Sequence, residues 1–396
     1  MSGAVEIKLA DRMSKLGTET AFDVLVRARA LEAEGKHVIH LQLGEPDFDT
    51  PQHIVDAAVD ALRSGDTHYT PTAGIPALRK AIADYTSETR EIEFAPEHVV
   101  VTPGGKPIMF FVILALAGEG DEVVYPDPGF PIYQSVVNFS GATPVPLELK
   151  EEEGFGFSPD QIRSLVNDKT KLVIINSPHN PTGGMISEES LEELARLAVK
   201  HDFMVMSDEI YSRIAYDYDT VPKSISTYPG MRERTIILDG FSKTFAMTGW
   251  RLGYGVMPTK LAEQVTRLAV NCNSCTPGFI QQAGIAALTG PQEPVEAMVE
   301  EFRRRRDMMV TGLNEIPGIS CIQPAGAFYV FPNVKQLGKT SDDVANDLMY
   351  EGHVALVSGT SFGAAGEGYI RISYANSMEN LQEALNRIKS TVERVY

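Results

Sequence analysis

The chain has 396 residues, 43% of them hydrophobic, and a formal net charge of −18 at pH 7. This length and apolar content predict one large domain with a smaller one, and they exclude an extensively disordered chain. An acidic chain repels phosphate backbones and anionic lipid surfaces, so we expect no nucleic-acid partner and no membrane association.

The opening residues, MSGAVEIKLADRMSK, contain no apolar stretch of the kind that a secretory signal needs. The longest apolar run covers residues 108–117, about half of what a membrane span requires. We therefore expect a cytoplasmic protein.

The middle of the chain alternates short apolar runs with helical patterns. The runs that predict strands are 98–102, 121–126, 143–149, 171–177, 203–208 and 235–240. The stretches that predict helices are 107–117, 130–140, 187–201 and 259–270. Apolar strands separated by helices are typical of a mostly parallel sheet covered on both faces, so the pattern predicts an α/β architecture.

The C-terminal part has a different pattern. Residues 294–316 predict one long helix, and short strand-like runs follow it, which indicates a smaller α+β domain. We place the large domain at residues 46–290. The small domain then combines residues 291–396 with part of the N-terminal arm, residues 1–45. Acidic residues flank the arginines at 303–306, so we predict a solvated, ion-paired helix face there rather than an anion site.

Three cysteines, Cys272, Cys275 and Cys321, form a sparse and odd-numbered set that favours a reducing compartment. Cys272 and Cys275 form a C-x-x-C motif, but no histidine lies near them in the sequence. A structural zinc site needs four ligands, so we predict packed or surface thiols and no metal.

Residues with chemical function follow the strands, at the edge where ligands bind in open α/β sheets. After the first strand, Gly104 and Gly105 lead into a helix, and a glycine-flanked helix N-terminus suits a phosphate. This is not a Walker A loop, because Val100 stands where that motif needs glycine, and Lys106 is followed by proline. The turn thus predicts an anion site outside that motif.

The later strand ends carry an amide, a carboxylate with a phenol, and an amine with a guanidinium. These groups belong to Asn180, Asp208, Tyr211, Lys243 and Arg251. A carboxylate or an amine beside an apolar strand is costly to bury without a partner. Pyridoxal phosphate offers a partner to each group. Its phosphate suits the glycine turn and the guanidinium, its aldehyde the amine, its ring nitrogen the carboxylate, and its phenolic oxygen the amide and the phenol.

The sequence resembles the class I, fold-type-I pyridoxal-phosphate aminotransferases, in particular the aspartate aminotransferase-like group, over nearly its whole length. The matching segments are LQLGEPDFDTP, THYTPTAGIPALRKAI, VTPGGKPIMF, NSPHNPTGG, SDEIY, FSKTFAMTGWRLGY, GAFYVFP and YIRISYA. The resemblance implies a fold-type-I large domain, a pyridoxal 5'-phosphate cofactor, a homodimer, and ping-pong transfer of an amino group between an amino acid and a 2-oxo acid.

The resemblance also implies roles for individual residues. Lys243 would form the Schiff base and move the substrate proton, Asp208 would pair with the ring nitrogen, and Arg371 would clamp the substrate carboxylate. Gly44 and Asn180 would line the substrate site. Tyr211 is implied to be catalytic as well as to contact the cofactor, and Asn180 is also implied to contact the cofactor. The other residues implied to contact it are Gly104, Gly105, Lys106, Phe130, Ser242, Arg251 and, across the dimer interface, Tyr69.

Three positions depart from the pattern of the resembled family. Gly240 stands where many members have a phosphate-binding serine, so Ser242 must take part in a different set of contacts. Phe130 stands where many members stack a tryptophan on the cofactor. The segment LGTETAFDV also lacks the Ser/Thr pattern that relatives selective for acidic substrates carry near the side-chain pocket.

The substrate is the least determined feature. In relatives with the same GGK pattern, the lysine that matches Lys106 reaches a distal carboxylate, which favours aspartate or glutamate. Glu19 would repel such a carboxylate, and Ala21 cannot donate a hydrogen bond to it. A broad, neutral or aromatic substrate range therefore stays open.

The scaffold suggests two other functions, of which we expect only the first to stay open. One is a β-eliminating lyase or an aminocyclopropane-carboxylate-type synthase. The other is the effector module of a transcription regulator, which would need a helix-turn-helix domain ahead of the motifs. Those motifs begin near residue 41, which leaves no room for one.

Overall fold

The computed structural model describes residues 7–218 and 221–396. The α-helices in these ranges are, in order, α1 Thr20–Ala33, α2 Gln52–Arg63, α3 Pro76–Arg90, α4 Lys106–Leu116, α5 Ile132–Ser140, α6 Pro159–Leu165, α7 Glu188–His201, α8 Thr259–Cys272, α9 Gly278–Thr289, α10 Glu293–Asn314, α11 Ser341–Tyr350 and α12 Met378–Val395. No helix in the same ranges is both long and apolar enough to cross a membrane.

The strands in the described ranges are, in order, β1 Ile39–His40, β2 Val99–Thr102, β3 Glu122–Asp127, β4 Thr143–Glu148, β5 Thr170–Asn176, β6 Met204–Asp208, β7 Thr235–Gly240, β8 Gly253–Val256, β9 Tyr329–Val330, β10 Val354–Ala355, β11 Val357–Ser358 and β12 Ile370–Ser373. The six predicted strands match β2 to β7, with bounds that differ by at most one residue at each end.

One seven-stranded sheet dominates the fold, with the order β2-β8-β7-β6-β5-β3-β4. All its neighbouring pairs are parallel except those of β8, which runs antiparallel to β2 and β7. The predicted α/β class with a mostly parallel sheet is thus confirmed. Strand β8 was not predicted, because its four residues, GYGV, include two glycines and show no strand-like run.

Both faces of this sheet are covered. Leu172 and Ile174 of β5 pack with α4, α5 and α8 on one face, whereas Val173 and Ile175 pack with α6 and α7 on the other. This alternation follows from the two-residue period of a strand. Because both faces of the sheet are apolar, polar side chains can lie at the ends of its strands.

The C-terminal residues build a second hydrophobic cluster. The strands β11, β12 and β9 form an antiparallel sheet, and residues of α10, α11 and α12 pack with it. Strand β1 pairs in parallel with β10, so a segment from the N-terminal part of the chain joins this cluster.

The prediction for the arginines at 303–306 was wrong for two of them. Arg305 and Arg306 are buried. Arg305 forms ion pairs with Asp47, 2.6 Å away, and with Glu301 of its own helix, 3.0 Å away. Arg306 lies over the ring of Tyr216, 4.4 Å from its centroid. The long apolar stems of arginine let α10 bury these positions while each charge keeps a partner.

Candidate active site

A cavity of about 530 Å³ lies at the carboxyl ends of β5, β6 and β7. Most of the residues predicted from the sequence to form the site line it. They are Gly44, Gly105, Lys106, Phe130, Asn180, Asp208, Tyr211, Ser242, Lys243, Arg251 and Arg371.

Asp208 is the last residue of β6 and is buried. Its Oδ2 accepts a hydrogen bond from the hydroxyl of Tyr133 over 2.6 Å, and its Oδ1 accepts one from the backbone N–H of Ile210 over 3.3 Å. Burial raises the pKa of Asp208 to about 6, although both hydrogen bonds act to lower it. No cation balances this carboxylate in either hydrogen bond, so it is available to a positively charged N–H.

Lys243 follows β7 and projects into the cavity, where its Nζ donates to the carbonyl oxygen of Gly44. Burial lowers its pKa to about 8, against the attraction of Glu45 and with the repulsion of Arg371. A lysine with such a pKa is neutral more often at neutral pH than an exposed lysine. It is therefore a candidate nucleophile and proton carrier.

Arg371 reaches the same cavity from β12. Its Nη1 donates to Oδ1 of Asn180 over 3.1 Å, and its Nη2 donates to the carbonyl oxygen of Gln42. The guanidinium lies between two rings, 4.7 Å from the centroid of Tyr329 and 4.8 Å from that of Phe362. Its Nε has no hydrogen-bond partner among the described residues. A buried, flat guanidinium with uncharged partners suits a carboxylate ligand.

Tyr211 lines the cavity and is buried, and its hydroxyl bonds to that of Tyr329 over 2.8 Å. Burial raises the pKa of Tyr211 well above its usual value, so the hydroxyl stays protonated. A Cβ at Gly44 would collide with the hydroxyl of Tyr329. The two phenols and the glycine thus form one close-packed wall.

The glycine turn after β2 is shaped to receive Arg251. A Cβ on Gly104 would collide with the guanidinium of Arg251, whose own backbone has a positive φ of 56°. Gly105 is the N-cap of α4, so backbone N–H groups at the helix start lie near this guanidinium. Helix-terminal N–H groups together with a guanidinium form a donor set for phosphate, and this fits the phosphate of the predicted cofactor.

The departure at Gly240 has a steric cause. A Cβ there would lie 3.1 Å from Cα of Gly253 and 3.2 Å from Cδ1 of Ile210, so the position has little room for a serine. Ser242, two residues later, is buried and lines the cavity. The same segment thus supplies a hydroxyl to the cavity, but from Ser242 instead of position 240.

Lys106 does not point freely to solvent. Its Nζ forms an ion pair with Glu19 and lies 5.5 Å from the centroid of the Phe130 ring. The Lys106 side chain is about half exposed, at 49%, and that of Glu19 is 20% exposed. Both residues line the cavity together with Ala21. From the sequence, Lys106 and Glu19 were expected to have opposite effects on an acidic substrate, whereas the structure joins them in one ion pair.

Tyr69 is the one predicted site residue that this chain does not bring near the cavity. Its side chain is 92% exposed, and it is absent from the cavity wall. Trp250 also lies outside that wall, where its Nε1 donates to Thr50 over 2.9 Å. Cys272 is exposed, Cys275 is half-buried and Cys321 is buried, and all three are free.

Three residues that orient the site were missed from the sequence. They are Tyr133, which bonds to Asp208, Tyr329, which bonds to Tyr211, and Asn176. The side chain of Asn176 donates to the backbone oxygen of Asp208 over 2.8 Å and accepts from the N–H of Asn180 over 2.9 Å. Tyr133 had a local signal, because it lies three residues after Phe130 in the segment PDPGFPIY.

Comparison with known proteins agrees with this geometry. The family model described as "Aminotransferase class I and II" matches residues 36–388. The chain belongs to this family. It is an aminotransferase with the fold-type-I architecture.

The alignments with individual relatives cover almost the whole length of this aminotransferase. An aspartate aminotransferase of Bacillus subtilis (strain 168) is 39% identical over 393 residues, which are 98% of this chain and 100% of the relative. The solved aspartate aminotransferase of Rhizobium meliloti has a TM-score of 0.93 at 35% identity, covering 98% of this chain and 100% of that one. The solved aromatic aminotransferase of Pyrococcus horikoshii OT3 has a TM-score of 0.88 at 41% identity, covering 94% and 99%.

Proposed function

We propose that this aminotransferase uses pyridoxal 5'-phosphate to move an amino group between an L-amino acid and a 2-oxo acid by a ping-pong mechanism. The observation that carries the proposal is the meeting of Lys243, Asp208 and Arg371 in one cavity, beside the Gly104–Gly105 turn. The amine, the carboxylate, the guanidinium and the anion-binding turn come from four separate elements, and this cofactor with its substrate has a complementary group for each.

The residues present fit the cofactor. Arg251, Ser242 and the N-terminus of α4 would hold its phosphate, Asp208 would face its ring nitrogen, and Phe130 would cover its ring. Asn180 and Tyr211 would face its phenolic oxygen. When bound, the cofactor supplies an aldehyde that accepts the amino group and a protonated ring that withdraws electrons from the substrate Cα.

The chain's own residues would perform the proton transfers and the positioning. Lys243, with its pKa lowered to about 8, would take the proton from the substrate Cα and deliver it to the C4′ position of the cofactor. Arg371 would hold the α-carboxylate with paired N–H donors, which fixes the direction of the Cα–H bond toward the lysine. Asp208 would stay negatively charged where it faces the ring nitrogen of the cofactor.

For the substrate we propose aspartate or glutamate as donor. The aspartate aminotransferases among the similar proteins support this choice, and so does Lys106 at the edge of the cavity. The ion pair with Glu19 must open, or rearrange, for Lys106 to reach a distal carboxylate. The aromatic aminotransferase of Pyrococcus horikoshii supports a broader range as the second candidate.

We also propose that the enzyme is a homodimer in which the partner supplies Tyr69 to the phosphate. The support is the 92% exposure of this tyrosine outside the cavity of its own chain. Mixing Lys243→Ala with Tyr69→Phe should give more activity than the two variants show separately, because a hybrid dimer contains one site in which neither residue is replaced. A fully active monomer on a sizing column would contradict the shared site. Separately, we propose from the sequence pattern that the large domain spans residues 46–290.

One experiment separates this function from the lyase. The enzyme loaded with cofactor is mixed with an amino acid alone, and absorption, oxo acid and ammonia are followed. An aminotransferase changes its absorption once and releases about one oxo acid per site, because it has no acceptor for a second turn. Continued release of pyruvate and ammonia would replace the proposed function with that of a lyase.

A further inference from the structure

The side chain that meets Asp208 inside the protein is that of Tyr133, the second residue of α5. Its hydroxyl donates to Oδ2 over 2.6 Å, and both side chains are buried. The backbone N–H of Ile210 donates to the other oxygen, Oδ1, over 3.3 Å. Because the two donors approach different oxygens, together they hold the plane of the carboxylate in one orientation.

Tyr133 is itself held by packing. Its ring meets that of Phe130 edge-on, with centroids 5.7 Å apart and an interplanar angle of 79°. Both rings line the cavity, and α5 begins between the two residues. The turn that presents Phe130 to the cavity therefore also directs the phenol of Tyr133 at the end of β6.

Asp208 carries its charge in unfavourable surroundings. Burial raises its pKa to about 6, and the carboxylates of Asp239 and Glu209 add to the rise. The hydrogen bond from Tyr133 is the largest of the effects that lower it. Burial raises the pKa of Tyr133 well above its usual value, so this hydroxyl keeps its proton and stays a donor.

We propose that Tyr133 is a positioning residue for transamination, which orients Asp208 and keeps its carboxylate ionised toward the ring nitrogen of the cofactor. The inference deepens the proposed function and rests on it for the catalytic role alone. The hydrogen bond that it concerns exists in the protein without any ligand.

The first test uses the protein without cofactor. Tyr133→Phe removes one oxygen and keeps the ring that packs on Phe130. Isotope-edited infrared titration of labelled aspartate follows the Asp208 carboxyl, whose band is assigned by its loss in Asp208→Asn. We expect the midpoint for Asp208 to rise by about one unit or more, on the scale of one charge-assisted hydrogen bond. An unchanged midpoint would overturn the proposal.

Other groups that face Asp208 stay the same in this variant. They are Glu209, which follows it, Asp239 of the neighbouring strand β7, and Tyr211. Tyr216→Phe is the matched control, because Tyr216 is buried and hydrogen-bonded, through its hydroxyl, to Tyr374 over 2.8 Å, yet does not line the cavity. This control should leave the Asp208 midpoint unchanged. An equal shift in both variants would mean a general effect of losing a buried hydroxyl, and it would overturn the role of Tyr133.

The second test follows the loaded enzyme. In Tyr133→Phe we expect kcat to fall about tenfold at neutral pH with little change in KM, since Asp208 does not hold the amino acid. The acid limb of kcat should move to higher pH, because the carboxylate must be ionised and now titrates later. A lower kcat with an unmoved acid limb would indicate a purely structural role. If the wild type binds no cofactor, the proposed function fails, while the titration still decides whether Tyr133 controls Asp208.

Discussion

Two buried charged clusters lie at the same strand ends, and they are built in opposite ways. One is the cavity with Asp208, Lys243 and Arg371, whose hydrogen-bond partners in the structure are uncharged. The other, which we call the Arg90 cluster, consists of Arg90 from the end of α3 with Glu209 and Asp239, each 3.0 Å from its Nη2. Glu209 directly follows Asp208 in the sequence, and the two carboxylates serve different clusters.

The Arg90 cluster is closed. The carboxylate of Glu209 also accepts hydrogen bonds from Ser207 over 2.8 Å and Ser224 over 2.6 Å, and that of Asp239 accepts one from Tyr254 over 3.2 Å. Both of its carboxylates are paired with a guanidinium of the same chain, whereas the three charged groups of the cavity named above have only uncharged hydrogen-bond partners. The comparison teaches that burial alone does not mark a functional site; uncompensated burial does.

The largest expected effect on activity is that of Lys243→Ala. Because the other lysine of the cavity wall, Lys106, is paired with Glu19, proton transfer at the substrate Cα should slow by about 10³–10⁴-fold, the upper range of general acid–base catalysis. Single-turnover absorption with an amino acid donor measures this rate. Borohydride reduction and peptide mapping should place the wild-type cofactor on Lys243, and a label on Lys106 would contradict the assignment.

The difference between the two clusters is tested most directly by the free energy of unfolding. Arg90→Met leaves two buried carboxylates without a cation and should cost about 3–5 kcal/mol of unfolding free energy. Lys243→Met should be neutral or stabilising in the protein without cofactor. At pH 7, below both the folded pKa of about 8 and the usual value of 10.5, the buried ammonium carries its full desolvation penalty, and the variant removes it. Urea denaturation compares both free energies.

The control for Arg90 is Arg163→Met. Arg163 is half-exposed and also pairs with two carboxylates, Asp160 and Glu193. Solvent screens exposed pairs, so they contribute little to stability, and this variant should stay close to the wild type. Equal losses in the Arg90 and Arg163 variants would remove the distinction between a buried and a surface cluster.

Asp208→Ala should lower the half-reaction rate by about 10²-fold, on the scale of losing one positioned electrostatic group. In the protein without cofactor, burial sets the pKa of Asp208 at about 6, and the positively charged ring N–H of the bound cofactor should lower it, so the loss of wild-type activity in acid should occur below pH 6. A pH–rate profile of the wild type and a single-turnover rate of the variant check both statements. Near-normal activity of Asp208→Ala would mean that the cofactor is held in another orientation.

The smallest effect concerns the ion pair at the edge of the cavity. Lys106→Ala should lower kcat/KM for aspartate or glutamate by about tenfold to a hundredfold and leave alanine nearly unchanged. Glu19→Gln frees Lys106 and should raise kcat/KM for acidic donors by about a fewfold, since the pair is partly exposed. Equal losses for acidic and neutral donors in Lys106→Ala would favour the broader substrate range.

The sequence was enough to locate the chemistry but not to orient it. Asp208 and Lys243 follow apolar strands, and the rule that parallel strands present ligands at their carboxyl ends was sufficient to place them together. The partners that hold them come from elsewhere in the chain. Tyr133 lies 75 residues from Asp208, and Tyr329 lies 118 residues from Tyr211, distances over which no local pattern carries information.

The arginines at 303–306 show the same limit of prediction from the sequence. A run of four arginines between acidic residues is typical of a solvated face, and Arg303 and Arg304 do keep partly exposed ion pairs. Arg305 and Arg306 are buried because α10 packs one side against the aromatic rings of Phe48 and Tyr216. Charge pattern alone cannot show which side of a helix meets those rings.

The hydrogen bond from Arg371 to the carbonyl oxygen of Gln42 has a consequence for how the enzyme is made. It joins residues that lie 329 positions apart, and β1 likewise can pair with β10 only after that later strand has been synthesised. At roughly 5–20 residues per second, a ribosome needs about 15 to 65 seconds to synthesise the chain between them. The Gln42 segment therefore emerges well before the strand that carries Arg371. A nascent chain can present Lys243 and the Gly104–Gly105 turn while it still lacks the guanidinium that we propose to hold the substrate.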